Sequence, residues 1–473
     1  MTATQRRGRA AGLIFMLAWL SCAWFGSWEW NPNNAVRMFS ALSIATDGSA
    51  RIDRYEGLTI DKAQFGDHFY SDKAPGMTLM ALPAVGAADA VTGQTARDVS
   101  ISPYDPTAER FLKLRTRLAA ATTAALLTAI AAVALFALAT ALGGSMGAGA
   151  FAAVAFVLGT PMWGWSTTLF GHAPVAALFG IAIWAAWRGT EDAQPSPRHA
   201  GLLGAALGWA VVIEFSAVLT GAAIGVFALW RLRRWSLREA TPALIAAAAL
   251  ALAAGVILIG YNLFAFGTPF RLGYQGVVGF AGMNEGLFGL TYPRTERLWG
   301  VTLGLKRGLL WCAPVALVGI VGLVRLYRDH ATRALALLGL GGAVIVLLYN
   351  ASYAYWDGGN STGPRHLVPA LAYLAIGFGP AWTWLRRWRG ALIGVLALSI
   401  AINLVIASAE IATGGPGDFP LWSDVFTGRF LGGDLRTIPS EWFGWSGFGG
   451  LALYLALASA IGAALVSTVR APE

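Results

Sequence analysis

Apolar residues in this chain come in blocks of about 17–25, parted by polar stretches of very unequal length. Blocks of that length suit helices crossing a hydrocarbon layer of about 30 Å. They are too long for the alternating segments of roughly ten residues that build a membrane barrel. The pattern predicts about twelve transmembrane helices (11–13), near 10–28, 117–142, 146–164, 171–188, 200–216, 217–231, 241–263, 308–325, 334–352, 366–385, 390–410 and 447–469. The expected fold class is therefore an all-α polytopic membrane protein, since a bilayer demands that backbone groups be satisfied within the segment. Residues 1–473 read as a single transmembrane domain, interrupted by polar stretches at 29–116, 264–307, 353–366 and 411–446.

The first interruption is the most informative. Joining two helices takes only a few residues, so a long charged loop reads as a working surface. From Glu29 to Pro75 it holds six acids beyond Glu29 and, counting His68, six bases. It closes on Gly66-Asp67-His68-Phe69-Tyr70-Ser71-Asp72-Lys73-Ala74-Pro75-Gly76. Residues 37–46, with apolar Met38, Phe39, Leu42 and Ala45, suit a short helix lying on the membrane surface, or a loop helix without lipid contact. Residues 77–91 are apolar but short, and contain Pro83 and Asp89. They are expected to be half-inserted or surface-lying.

Composition sharpens this picture. The chain is 56% hydrophobic and only 12% charged, against roughly 25% charged in soluble domains. A net charge of +9 would suit a nucleic-acid binder, but its distribution does not. With the N-terminus inside, cytoplasmic segments hold 16 of the 34 Lys and Arg and 5 of the 25 Asp and Glu, a balance of +11 inside and −2 elsewhere. The clusters Arg231–Arg238, Arg325–Arg333 and Arg386–Arg389 all fall inside, as topology demands. The basic excess is topological, and no nucleic-acid partner is expected. Cys22 and Cys312 lie in apolar segments, and no Cys/His spacing suits a metal. The start, Arg6 to Trp28, lacks an Ala-x-Ala-like cleavage site and reads as a retained helix.

Several outer residues are candidates for chemistry. Lys73, Arg115, Arg365 and His366 are donors for a phosphate on the side where the topology rule disfavours bases. Asp53 and Asp61 lead as a general base: each follows an isoleucine, and Lys62 beside Asp61 would keep it ionised. Glu214 is a carboxylate in an apolar helix, expensive there and a functional candidate by default, or a partner locking an arginine. Glu29, Arg37, Asp72, His172, Arg307 and Asp357 complete the set. The bland alternatives are surface ion pairs for Asp53 and Asp61, snorkelling bases around Arg115, and a packed histidine at His172.

As an ordered series, these outer motifs resemble the GT-C superfamily of integral-membrane glycosyltransferases. The nearest groups are bacterial relatives of protein mannosyltransferases and of aminoarabinose transferases. The carrying residues are Tyr70-Ser71-Asp72-Lys73-Ala74-Pro75-Gly76, Arg115 to Leu118, Phe170-Gly171-His172, Glu214-Phe215, Lys306-Arg307-Gly308-Leu309, Trp356-Asp357-Gly358-Gly359 and Gly363-Pro364-Arg365-His366. The resemblance implies transfer of a sugar from a polyprenyl-phosphate carrier to a glycan, lipid or protein acceptor on the outer face. It implies a catalytic carboxylate in the first outer loop. Family members often carry an acidic pair soon after the first helix. This chain has Asn33-Asn34 there, followed by Arg37, so Glu29, Asp53 or Asp61 must supply the base.

Beyond the lipid-linked donor the resemblance implies no cofactor, although clustered aspartates leave weak divalent-metal binding open. The expected location is a bacterial inner membrane with the site facing the periplasm. Two other readings compete: a transporter or flippase for a lipid-linked sugar, which favours internal repeats and midplane charges, and a scaffold without chemistry. No fixed-period repeat is evident, and the polar residues gather at one face. Nothing in the chain marks its oligomeric state. The topology makes one prediction. With Cys22 and Cys312 replaced, Ser49→Cys should react with a membrane-impermeant thiol reagent added to intact cells. A folded variant that stays unlabelled there, yet labels in opened cells, overturns the topology.

Overall fold

The computed structural model describes residues 2–26, 28–414 and 417–470. Five helices are long and apolar enough to cross a membrane: Pro106–Gly143, Leu237–Phe266, Arg333–Ser352, Arg386–Ala409 and Gly447–Arg470. Shorter apolar helices, Gly76–Thr92, Met146–Leu158, Ala217–Leu232 and Ala316–Tyr327, pack among them. The chain is an all-helical integral membrane protein. Its one sheet among the described residues is an antiparallel hairpin, Ala63–Phe65 with His68–Tyr70. Gly66 turns that hairpin at φ +61°, a left-handed backbone that two-residue loops favour.

The span expected at 146–164 stops at Leu158 and resumes as Met162–Trp165 after Pro161, and two further expected spans are broken. The segment 308–325 forms Leu309–Cys312 and Ala316–Tyr327, with Pro314 in the gap and no N–H to carry the helix through. The segment 366–385 forms Ala370–Ala375 and Phe378–Trp384. These two spans meet where Gly319, Gly322 and Gly377 press backbone against backbone. A Cβ on Gly322 would overlap the Gly377 carbonyl, and one on Gly377 the Gly319 carbonyl. Small residues are how membrane helices come this close. The span expected at 200–216 also stops early, at Ile213, because Glu214 leaves helical geometry (φ −147°, ψ 119°).

The helix Pro32–Asp47 departs further from expectation. Asn31 caps it and Pro32 fits its first turn. The surface-lying reading of 37–46 fails, because Val36, Met38, Phe39, Ala41 and Leu42 are buried inside protein, and so is Arg37. The helix's polar Asn33, Asn34, Ser40 and Ser43 are buried with them. It packs on Gly76–Thr92, which in turn packs on Pro106–Thr122, the first part of the long Pro106–Gly143 helix. The first loop is therefore a folded layer of helices and one hairpin.

Leu237–Phe266 behaves in the opposite way. Only 11% of its apolar window is buried, so Ile245, Leu252, Val256 and Ile257 face outward, as lipid contact requires. Its buried side lies on Pro197–Ile213, where Gly204 and Gly208 press against the backbone of Ala247 and Ala251.

The glycine contact generates a paired prediction. Gly322→Ala should cost about 1–3 kcal/mol by overpacking, seen as a lower melting temperature of the purified protein. Gly341→Ala, with open space around its would-be Cβ, should leave that temperature unchanged or raise it slightly.

Candidate active site

A cavity of about 110 Å³ opens where three stretches converge: 61–73, 274–283 and 353–366. Asn33, His172 and Glu214 close it from the helix ends. Of the residues singled out from sequence, Asp61, Asp72, Lys73, His172, Glu214, Arg365 and His366 line it together.

Local structure explains the placement. Asp61 follows a turn pinned by Thr59, whose hydroxyl donates to the Pro32 carbonyl (3.2 Å) and accepts from the Asp61 N–H (3.1 Å). Asp72 and Lys73 leave the second strand, and the chain then enters Gly76–Thr92. A Cβ on Gly76 would stand 2.7 Å from the Ile213 backbone nitrogen, so glycine lets the loop close against the broken end of Pro197–Ile213. Lys73 Nζ lies 2.7 Å from Asp72 and 3.3 Å from Asp61. Burial opposes the Lys73 charge, but Asp61 and Asp72 outweigh it and hold its pKa above the ordinary value. Lys73 is thus a fixed cation that bridges two carboxylates.

Glu214 sits in the break, 2.9 Å from Arg37. Arg37 also donates to the Asn33 side chain. Gly171 makes room here, since any Cβ would collide with the Glu214 carboxylate.

Arg365 is placed differently. Its guanidinium lies over the Phe170 ring at 5.1 Å and packs on Gly358. Its Nε is buried without a hydrogen-bond partner. Burial lowers its pKa, and Asp61 partly offsets this; an arginine stays charged regardless. Arg307 works behind the wall, donating to the carbonyls of Asp357 (2.9 Å) and Gly359 (2.7 Å) and so fixing the glycine turn at Gly358 and Gly359.

Other candidates lie away from the cavity. Asp53 accepts from the Phe69 N–H (2.6 Å) and bonds His68 Nδ1 (2.8 Å), tying the hairpin to the turn Asp53–Leu58. Arg115 bonds Asp89 (2.9 Å) and the Gln94 carbonyl (2.7 Å), locking Pro106–Thr122 to Gly76–Thr92. Its side chain is consumed there, not aimed at an anion. Glu29 is buried near Lys113 at 3.9 Å. Asp357 caps its own turn through the Gly359 N–H (3.1 Å).

The sequence assigned no role to several lining residues: Asn33, noted only as a departure, and Val277, Phe280 and Met283, with tyrosines 274, 353 and 355 as walls. Tyr355 accepts from the Gly282 N–H (3.0 Å) and Tyr353 donates to Met283 Sδ (3.3 Å), so these rings clip the 273–284 loop over the cavity. Burial raises the pKa of both Tyr274 and Tyr353, which keeps their hydroxyls neutral. Only Asn33 carried a signal, as the departure from an acidic pair. Among the described residues, no group of His, Cys, Asp and Glu is arranged to hold a metal ion.

The overall geometry is similar to that of solved membrane proteins. One is ArnT from Cupriavidus metallidurans, in its apo state at 15% identity and TM-score 0.47, covering 86% of this chain and 66% of that one. Its crystal structure bound to undecaprenyl phosphate aligns at 13% identity and TM-score 0.45, over 86% of this chain and 70% of that one. The S. cerevisiae protein O-mannosyltransferase Pmt1-Pmt2 complex bound to the sugar donor aligns at 15% identity and TM-score 0.39, over 62% of this chain and 39% of that one. No protein-family model matches the chain, and no curated protein sequence does.

The buried pair yields a test. Glu214→Ala strands Arg37 in the interior and should cost about 3–5 kcal/mol. Arg37→Met combined with Glu214→Leu should recover most of that loss. Melting temperatures of the purified single and double variants measure it; a double variant no better than the single one refutes the pairing.

Proposed function

We propose that this protein is a glycosyltransferase that moves a sugar from a polyprenyl-phosphate donor to an acceptor at the outer membrane face. The observation that carries the reading is a guanidinium without an acid of its own, Arg365, in the wall of a cavity that also presents Asp61. Arginine's fork suits phosphate oxygens. The other two cations near the cavity are already matched, Lys73 by Asp61 and Asp72 and Arg37 by Glu214. An incoming phosphate therefore finds one uncommitted charge, and Lys73 second.

The chemistry needs no more than these groups. An acceptor hydroxyl loses its proton to Asp61, which has Lys73 Nζ 3.3 Å away. The acceptor oxygen forms its bond to the anomeric carbon as the bond from that carbon to the phosphate oxygen breaks. The electron pair leaves with the phosphate, whose growing charge Arg365 stabilises. Phosphate leaves readily, so no general acid is required. Direct attack inverts the sugar carbon, by analogy with inverting glycosidases. Acceptors of three kinds fit this scheme: envelope glycan, lipid or protein. The site would face the periplasm of a bacterial inner membrane.

Three variants test the roles by following labelled sugar from the lipid carrier into envelope material. Asp61→Asn should cut transfer by about 100-fold or more. Arg365→Lys keeps the charge but loses the fork, and should raise the donor KM by about 10-fold. Asp53→Asn should lower stability by about 1 kcal/mol, through its hairpin hydrogen bonds, and leave transfer near normal. Full transfer by Asp61→Asn removes it as the base.

A further inference from the structure

Behind the cavity lies a second chamber of about 40 Å³. His172, Glu214, Tyr274, Tyr353 and His366 line both, so the two spaces share a wall. Ser216, Thr220 and Tyr349 supply further hydroxyls to the inner one. No Lys or Arg is in its lining, and its one acid, Glu214, is matched by Arg37 at 2.9 Å. The chamber is polar yet balanced in charge.

His366 gives it direction. The Tyr355 backbone stands beside the imidazole, while Nε2 is buried with no partner. That leaves Nδ1 to face the Tyr355 backbone. An imidazole that donates from Nδ1 to a carbonyl and stays neutral keeps a lone pair on Nε2. His172 and Tyr353 pack edge-on against the ring, with centroids 4.8 Å and 5.3 Å away, and hold it in place. The buried acceptor is costly unless a donor arrives. That donor is not a phosphate, which has only acceptors to offer when ionised. A sugar ammonium would need an uncommitted carboxylate, and a uronic carboxylate would need a cation; the inner lining supplies neither.

We infer that the donor sugar is uncharged and that one of its hydroxyls enters this chamber and donates to His366 Nε2. The inference rests on the transferase reading above and narrows its substrate class. The size agrees. A water needs about 10–15 Å³ of such space, so the chamber takes only two to four non-hydrogen atoms, as in a hydroxymethyl arm or the hydroxyl edge of a ring. His366, expected from sequence to hold phosphate, becomes a residue that selects the sugar.

Competition binding to the purified full-length protein tests this, with a fluorescent polyprenyl phosphate as tracer. The competitors are short-chain polyprenyl phosphates that are bare or carry a neutral hexose, an aminopentose or a uronic acid. The neutral conjugate should compete at least about 10-fold better than either charged one, the scale of one buried hydrogen bond. In His366→Leu the advantage of the neutral conjugate over bare carrier should shrink by a similar factor, and in His366→Gln, which keeps an acceptor, it should largely persist. Preference for a charged sugar in the wild-type protein overturns the inference, as does an unchanged ratio in a folded His366→Leu. Failure of the tracer itself to bind overturns the transferase reading instead, and the inference falls with it.

Discussion

One buried ion pair organises the cavity end of this molecule. Glu214 interrupts a helix in an apolar setting, and Arg37 reaches it from the buried part of the helix Pro32–Asp47. Neither charge is tolerable there alone. Replacing such pairs with apolar residues often stabilises a protein, so their presence is a statement about use. Here the break at Glu214 leaves the space into which the cavity opens. Asn33 fixes the arginine, Gly171 admits the carboxylate, and Gly76 brings the lysine loop alongside.

The charges around the cavity are arranged as a division of labour. Two carboxylates flank Lys73, which leaves it little free to bind a substrate anion. Arg365 has an aromatic ring beneath it and glycine beside it, neither of which competes for its hydrogen bonds. A site with the opposite assignment, a free lysine and a paired arginine, would carry the same net charge and offer phosphate a point charge rather than a fork.

Much of this was legible from the chain. The block length of apolar residues announced a helical membrane protein, and bases expected on the disfavoured side drew attention to Lys73, Arg365 and His366, which line one cavity. The limits are equally physical. Asp53 and Asp61 have similar neighbours in sequence, and only the hairpin register puts Asp53 on the Phe69 N–H. Arg115 is an outer base like Arg365, but Asp89 is folded back onto it from 26 residues away. The short apolar helix at 37–46 looked suited to a membrane surface because its hydrophobic period does not say whether lipid or protein covers it. The broken spans hid for a related reason: average hydropathy does not register a proline gap or three glycines in backbone contact.

The helix Leu237–Phe266 has a consequence for the membrane itself. Thirty residues extend about 45 Å, well beyond a hydrocarbon core of about 30 Å. Such a helix tilts or projects, and its angle follows bilayer thickness. It is held mainly along one side, while its outer end carries Phe266, packed on Phe65 and Tyr70 of the hairpin that leads to Lys73. The same end begins the loop that walls the cavity with Tyr274 and Phe280. Any mismatch with the bilayer is thus carried by a helix whose end runs on directly into the cavity wall.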